Sequence, residues 1–196
     1  SSTLSLKNNF SNSSWKTDFS VGTRIDDIKN IYLANTKQRS FLSYIVNGSV
    51  LEKNIYGYID ETISLGDLII NPGLRFDYFD FKFTDALNNN LVSTKSDNIL
   101  SPKLNLYYNV SSKTQLYIKT GSGFHSNDAR VSALELVDKT LPRAIGYEIG
   151  TSFSVGNAYI NTSVWGLNLE SEFVYIGDEG VVEPSGRTRR FGIDFS

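Results

Sequence analysis

Residues 100–119, which read LSPKLNLYYNVSSKTQLYIK, show the organisation of the chain most clearly. Up to residue 110, apolar side chains take one parity and polar side chains the other: Leu100, Leu104, Leu106, Tyr108 and Val110 against Ser101, Lys103, Asn105 and Asn109. After the polar turn at residues 111–113, Leu116 and Ile118 alternate with Gln115 and Lys119. A period of two is typical of a β-strand with one apolar and one polar face, and two such runs around a short turn predict a β-hairpin.

The same alternation recurs along most of the 196 residues. It predicts about nine strands, at residues 3–10, 15–26, 49–63, 68–83, 98–110, 114–122, 143–154, 158–175 and 188–196. Short turns at residues 11–14, 65–67, 111–113 and 156–157 alternate with long loops at residues 27–48, 84–97, 123–142 and 177–187. The sequence therefore predicts an all-β, antiparallel up-and-down arrangement with its short connections at one end.

The length of the alternating segments, and the difference in length between the short turns and the long loops, favour a transmembrane β-barrel. Strands of soluble proteins are usually about five or six residues long, whereas a tilted membrane-spanning strand needs about nine to eleven, and several runs here reach that length. Outer-membrane barrels have short turns at one rim, long loops at the other and aromatic residues near the strand ends. One irregularity is a change of parity near Trp165, which predicts a β-bulge at residues 164–166.

Composition narrows the classes of function. The net charge of -2 shows no basic footprint for nucleic acid, and the absence of cysteine excludes disulfides and thiolate metal sites. The one histidine, His125, has Ser126 and Asp128 beside it in the sequence, but catalytic triads are assembled in space rather than along the chain. We therefore predict no enzyme, cofactor or metal site, with a lipase-like outer-membrane barrel as the enzymatic alternative.

Several segments resemble, in order, the β-barrel region of TonB-dependent outer-membrane receptors. They are residues 56–61 (YGYIDE), 72–77 (PGLRFD), 100–104 (LSPKL) running into 121–130 (GSGFHSNDAR), 141–150 (LPRAIGYEIG), and 176–180 with 183–192. Residues 1–48 match only in their general pattern. Each segment is a weak signal alone, and the ordered set is fairly specific.

The resemblance implies active uptake of a scarce nutrient, such as an iron–siderophore chelate or cobalamin, through the outer membrane of a Gram-negative bacterium. It implies a plug domain and the TonB complex as partners, with outer-membrane lipid and lipopolysaccharide around the barrel. Members of the family resemble barrels of about 22 strands. We therefore expect residues 1–196 to be a single segment of such a barrel domain, about nine strands of a larger barrel, without the plug and the C-terminal strands.

In such a barrel the two parities of each strand have different surroundings, because apolar side chains meet lipid and polar ones line the lumen. The predicted lipid-facing residues are Leu74, Phe76, Leu104, Leu106, Ile118 and Ile149. The predicted lumen-facing residues are Arg24, Arg75, Asp77, Lys103, Lys119 and Glu148. These charges either contact the plug or guide an anionic substrate, or they form a hydrated wall of paired charges without a specific ligand.

The long loops supply the candidate substrate contacts, since binding groups tend to lie on loops above a rigid scaffold. The candidates are His125, Asp128, Arg130, Arg187, Arg189 and Arg190. Arginine binds carboxylates and phosphates through two parallel hydrogen bonds, which suits metal chelates and lipopolysaccharide phosphates. The alternative is a solvated loop without a specific ligand. Tyr32, Phe41 and Tyr44 in the first long loop either stack on a ligand or pack against one another.

Two other functions stay open at this stage. A passive porin-like barrel predicts an even number of strands that closes within the chain. A soluble β-sandwich binding module predicts that the six apolar residues assigned to lipid are instead buried between two sheets.

Overall fold

The computed structural model describes residues 2–125, 140–176, 181–184 and 186–196. Its strands are β1 (Ser2–Ser11), β2 (Trp15–Lys37), β3 (Ser40–Leu65), β4 (Leu68–Asp85), β5 (Leu91–Ser111), β6 (Thr114–Phe124), β7 (Arg143–Val155), β8 (Ala158–Leu169), β9 (Phe173–Ile176), β10 (Val181–Pro184) and β11 (Thr188–Phe195). Among the residues described, no helix has the length and apolar character needed to cross a membrane.

Nine of these strands form one antiparallel sheet in the order β1-β2-β3-β4-β5-β6-β7-β8-β11. Each strand therefore pairs with its neighbour in the chain, except that β11 follows β8, while β9 and β10 form a small sheet of their own. The prediction of an all-β, up-and-down sheet of nine strands is confirmed. Within the described residues β1 and β11 are the two edges, so these strands do not close a barrel by themselves, contrary to the porin-like alternative.

The pairing register defines two chemically different faces, because directly opposed residues of antiparallel strands project to the same side. We call the side that carries Arg75, Asp77 and Glu148 the polar face, and the side that carries Phe76 and Ile149 the apolar face. On the apolar face the side chains are exposed rather than sealed between sheets: Leu74 42%, Phe76 46%, Leu104 39%, Ile118 48% and Ile149 59%. Since no second sheet covers this face in the described part of the chain, the soluble sandwich alternative is wrong.

The four short turns predicted from the sequence are confirmed at residues 12–14, 66–67, 112–113 and 156–157. The first long loop, predicted at residues 27–48, is wrong. There β2 and β3 continue as a hairpin of 23 and 26 residues joined by Gln38 and Arg39, whose φ angles are 50° and 67°. Two successive positive φ values are the geometry of the tight type I′ turn that matches the twist of a hairpin.

Two further boundaries differ from the prediction. Residues 84–97 are mostly strand, because β4 ends at Asp85 and β5 begins at Leu91. The strand predicted at residues 158–175 leaves the main sheet after Leu169, and the bulge predicted at residues 164–166 is absent, since β8 keeps an unbroken register with β7 and β11. The parity change at Trp165 arises because Leu167 and Leu169 are apolar residues on the polar face. The predicted loops at 123–142 and 177–187 lie partly outside the described residues.

A small core lies on the polar face at the end of the sheet with the long connections. Val50, Phe79, Phe81, Phe83, Ile99 and Leu141 form one buried cluster, against which Ile31, Val46 and Phe124 pack. The rings of Phe79 and Phe81 are stacked, 5.5 Å apart with an interplanar angle of 4°. Leu141, which lies two residues before β7, is 5% exposed and belongs to the same cluster.

Candidate functional site

The polar face carries the charged groups of the candidate site, and its most buried element is an arginine–aspartate pair on β4. Arg75 and Asp77 are two residues apart and therefore lie on the same face of the strand. Arg75 Nε donates to Asp77 Oδ2 at 2.7 Å and Arg75 Nη2 donates to Asp77 Oδ1 at 2.7 Å. Asn54 Nδ2 donates to the same carboxylate at 3.2 Å. Asp77 is fully buried, and the Arg75 guanidinium lies 4.3 Å from the centroid of the Tyr56 ring.

A second pair joins β6 and β7. Lys119 and Glu148 are directly opposed in the register, and Lys119 Nζ lies 3.4 Å from Glu148 Oε2. The Tyr117 hydroxyl is 3.0 Å from Glu148 Oε1 and 3.1 Å from Asn161 Oδ1, which extends the network to β8. The carboxylate is thus held by a cation and a hydroxyl from the neighbouring strand.

A third pair crosses an intervening strand. Lys103 on β5 forms an ion pair with Asp60 on β3, although Gly73 of β4 lies between them in the register. The contact is permitted because Gly73 has no side chain, and a Cβ atom there would lie 2.6 Å from Lys103 Cε. Asn71 Nδ2 also donates to Asp60 Oδ1 at 2.6 Å. Each strand in this region therefore contributes to one connected polar layer.

The structure places all six side chains predicted to face the lumen on the polar face, and each takes part in an ion pair. Besides the three pairs above, Arg24 Nε lies 2.7 Å from Asp26 Oδ2. Each of these six charges on the polar face is thus compensated by a partner. The six residues predicted to face lipid are together on the apolar face, where Ile118 is opposed to Leu106 on one side and to Ile149 on the other.

The predicted loop contacts are dispersed. His125 is exposed immediately after β6, while Asp128 and Arg130 lie outside the described residues. Arg187 is exposed just before β11. Arg189 and Arg190 are neighbours on β11 and project to opposite faces, so Arg189 lies at the end of the apolar face and Arg190 forms an ion pair with Glu172 on the other side.

In the first long hairpin the aromatic residues pack on one another. The rings of Phe41 and Tyr44 are 4.8 Å apart, and those of Tyr32 and Tyr44 are 5.9 Å apart in an edge-to-face arrangement. All three side chains are also more than 40% exposed, so the cluster lies at the surface of the hairpin.

Two features of the site were not predicted from the sequence. The Phe79–Phe83 cluster on the polar face had a signal, because from Phe79 onwards β4 places its apolar residues at odd positions instead of even ones. Arg143 had none, since its Nη1 donates to the carbonyl oxygen of Leu100 at 2.8 Å and to Ser122 Oγ at 2.5 Å, both on strands that are distant in sequence.

Comparison with known proteins gives a consistent match. The family model described as "TonB dependent receptor-like, beta-barrel" matches residues 1–196. The ferric citrate transporter FecA in its unliganded form superposes with a TM-score of 0.75 at 20% identity, covering 98% of this chain and 30% of FecA. The ferric yersiniabactin uptake receptor FyuA from Yersinia pestis gives a TM-score of 0.74 at 14% identity, with 98% and 31% covered.

The copper transporter OprC gives a TM-score of 0.74 at 13% identity, covering 98% of this chain and 34% of OprC. This chain therefore spans about a third of the length of the structures it matches. At these identities the structural likeness shows the fold, which is that of part of a transmembrane β-barrel, and the predicted fold class is confirmed.

Proposed function

Because this chain belongs to the family of TonB-dependent receptor β-barrels, we propose that it forms part of the barrel wall of an outer-membrane receptor for the active uptake of a scarce nutrient. Relatives in this family are Gram-negative outer-membrane transporters or receptors rather than enzymes. In this proposal residues 1–196 are one segment of the barrel domain, and the edges β1 and β11 are continued by further strands of the same receptor.

The observation that carries the proposal is the height of the apolar band. On β4 every residue of the apolar face from Leu68 to Tyr78 is apolar, after which Asp80 and Lys82 follow on the same face. Ten steps of about 3.3 Å, tilted by about 40°, give a band of about 25 Å. This is the height of the lipid-facing band of outer-membrane barrels. The remainder of β4 and the extensions of β2 and β3 then project into water on the outer side.

We assign the two faces accordingly. Leu74, Phe76, Leu104, Leu106, Ile118 and Ile149 contact acyl chains, and Arg24, Arg75, Asp77, Lys103, Lys119 and Glu148 line the aqueous lumen. The pairing of these charges supports a hydrated lumen wall, because barrel interiors are polar and compensated charges do not concentrate counter-ions as a wall of one sign does. As partners we propose a plug domain within the lumen and the TonB complex on the periplasmic side, which membership of the family implies.

The substrate class we propose is a metal chelate, with an iron–siderophore complex as the first candidate and cobalamin as the second. FecA and FyuA, whose names specify ferric citrate and ferric yersiniabactin, support an iron chelate. OprC, which shares this fold, is named as a copper transporter. Contacts to the chelate are assigned to the long connections, with His125, Asp128, Arg130, Arg187 and Arg189 as candidates. Arg190 is the sixth candidate, and its guanidinium is already paired with Glu172.

The test is uptake by living cells. A strain that lacks the gene is complemented with the natural protein, and accumulation of radioactive iron is measured from a panel of ferric chelates with TonB intact and with TonB inactivated. We expect one class of chelate to be accumulated only when both the receptor and TonB are present. Accumulation that continues at the same rate without TonB would identify a passive pore, and no accumulation of any chelate, cobalamin included, would contradict the proposal.

A further inference from the structure

A carboxylate lies on the apolar face, inside the band that we assign to lipid. Glu61 on β3 is opposed to Thr17 on β2, and its neighbours on the same side of β3 are Ile59 and Ile63. The Glu61 side chain is half-buried. The strand ends at Leu65, and four steps of about 3.3 Å, tilted by about 40°, place Glu61 about 10 Å above that end. Apolar positions of β3 therefore lie both above and below the carboxylate.

Other polar side chains of the apolar face direct their hydrogen-bonding groups back into the sheet. Thr120, Thr151 and Thr162 each donate a hydrogen bond to a backbone carbonyl oxygen of the neighbouring strand. A hydroxyl can do this because it is a donor and a carbonyl oxygen has two lone pairs. An ionised carboxylate only accepts hydrogen bonds, and the backbone N–H groups of the sheet are used in the strand pairing. Glu61 therefore cannot be satisfied in the same way.

The Glu61 carboxylate has a single side-chain partner among the described residues. Thr17 Oγ1 donates to Glu61 Oε2 at 2.7 Å, and no lysine or arginine of those residues forms an ion pair with it. By contrast, Asp60 on the polar face is paired with Lys103 and accepts a hydrogen bond from Asn71. An ionisable side chain within a membrane is costly, is usually paired and marks a functional position.

The partner of Glu61 has to approach from the lipid side. The strands β1 and β2 separate Glu61 from any strand that continues the sheet beyond β1, which would be about 14 Å away at about 4.8 Å per strand. A second copy of the receptor in a two-fold contact would present its own Glu61 at the same depth, because such a contact uses the same patch on both copies. Two carboxylates would then repel each other. Charge complementarity therefore specifies a different protein with a basic side chain.

Aromatic side chains surround the carboxylate on this face. Phe10 on β1 is opposed to Thr17 and is 56% exposed, and Trp15 is 41% exposed. The rings of Phe10 and Phe19 are stacked, 6.0 Å apart. Interfaces place their strongest contacts at the centre of such an apolar surround. We propose that Glu61 is the centre of a contact surface for another outer-membrane protein, which presents a lysine or arginine on its own lipid-facing surface at this depth.

The first test measures whether the carboxylate is unpaired when only lipid is present, and it rests on the proposed function for the orientation of the chain. The complete receptor is folded into phosphatidylcholine vesicles without other proteins. Glu61→Leu should raise the folding equilibrium constant by about tenfold, because it removes a charge from lipid. Asp60→Leu, one position away on the polar face, should lower it, since Lys103 then loses its partner. An unchanged or lower constant for Glu61→Leu would overturn the placement of Glu61 in lipid.

The second test captures the partner in living cells. The photoreactive residue benzoylphenylalanine replaces Phe10, and in a control receptor it replaces Phe191, which is exposed on the same face of β11. We expect a crosslink to one other outer-membrane protein from position 10 only, reduced at least tenfold by Glu61→Gln. The crosslinked surface should contain a basic residue, and Glu61→Lys combined with glutamate at that residue should restore the crosslink.

Three outcomes of the second test would overturn the contact surface. They are no crosslink from position 10, a crosslink that persists in Glu61→Gln, and a crosslink only between two copies of the receptor. Uptake of chelates with and without TonB is measured on the unaltered receptor, so a failure of the proposed function is seen separately from a failure of this contact.

Discussion

The Arg75–Asp77 pair allows a test of how much an unpaired charge on the polar face lowers the free energy of unfolding, because its two members differ in burial. The Asp77 side chain has 0% exposure and the Arg75 side chain 40%. Replacing Arg75 by glutamine leaves a buried carboxylate that retains only Asn54 as a donor from another strand. Replacing Asp77 by asparagine leaves a guanidinium that water reaches directly. The two substitutions remove the same ion pair, and we expect them to differ in cost.

The burial values give the expected magnitudes. Stranding a buried charge costs about 3–5 kcal/mol in the free energy of unfolding, and we expect about 3 kcal/mol for Arg75→Gln because a hydrogen bond to the carboxylate remains. For Asp77→Asn we expect about 1 kcal/mol, since pairs with an exposed member contribute little. The double variant should be more stable than Arg75→Gln alone, because it contains no stranded charge. Arg24→Gln is the control, as both members of the Arg24–Asp26 pair reach solvent, with 59% and 16% exposure.

The assay is denaturant unfolding of the complete receptor in detergent micelles, followed by tryptophan fluorescence, with the shift in midpoint converted through a common slope. The order of cost should be Arg75→Gln, then Asp77→Asn, then Arg24→Gln. A larger loss for Asp77→Asn than for Arg75→Gln would refute the reasoning, since it would mean that the buried carboxylate is stabilised without its arginine.

Three further predictions concern packing and the two faces. Phe81→Ala should cost about 3–5 kcal/mol in unfolding free energy because the ring is fully buried in the aromatic cluster, measured by the same midpoint. Ile149→Arg should lower folding into lipid vesicles by about 2–4 kcal/mol, whereas Ala144→Arg on the polar face of the same strand should have less than half that effect. Gly192→Ala should shift the emission maximum of Trp165, because the added Cβ would lie 2.4 Å from its ring.

The alternation of apolar and polar side chains was sufficient to predict the strand segments for which we propose lipid on one face. It was insufficient for the segments that extend past the apolar band. Residues 100–119 alternate because one face is apolar and the other polar, and the strands found there agree with the prediction. In residues 27–48 both faces of the hairpin are largely exposed, so no alternation is required and the segment resembles a loop. The turn at Gln38 and Arg39 also lacks the Asn-Gly or Asp-Gly pair that normally indicates such a geometry.

The sequence alone predicted which residues of the candidate site share a face of the sheet. It did not predict the contacts that these residues make across strands. Arg75 and Asp77 are two residues apart in one strand, so their pairing follows from parity alone. The pair between Lys103 and Asp60 depends on a register across three strands and on the missing side chain of Gly73. The position of Arg143 depends on the distant residues Leu100 and Ser122, and only the folded sheet brings them within hydrogen-bonding distance.

The pairing on the polar face also bears on where a receptor of this kind would select its cargo. A substrate that binds Lys119 must displace Glu148, which the sheet holds directly opposite at 3.4 Å, and the same holds for the arginine bound to Asp77. A tethered partner competes at a high effective concentration, so a passing ligand gains little from these side chains. In the proposed receptor, discrimination between substrates therefore has to come from side chains that have no ion-pair partner in the sheet. The exposed aromatic side chains of the β2–β3 hairpin are such groups, and they lie at the end of the sheet where the long connections emerge. In the receptor that we propose, the wall then acts as a hydrated, charge-compensated surface along which different chelates can move; the same barrel fold occurs in transporters named for different metals.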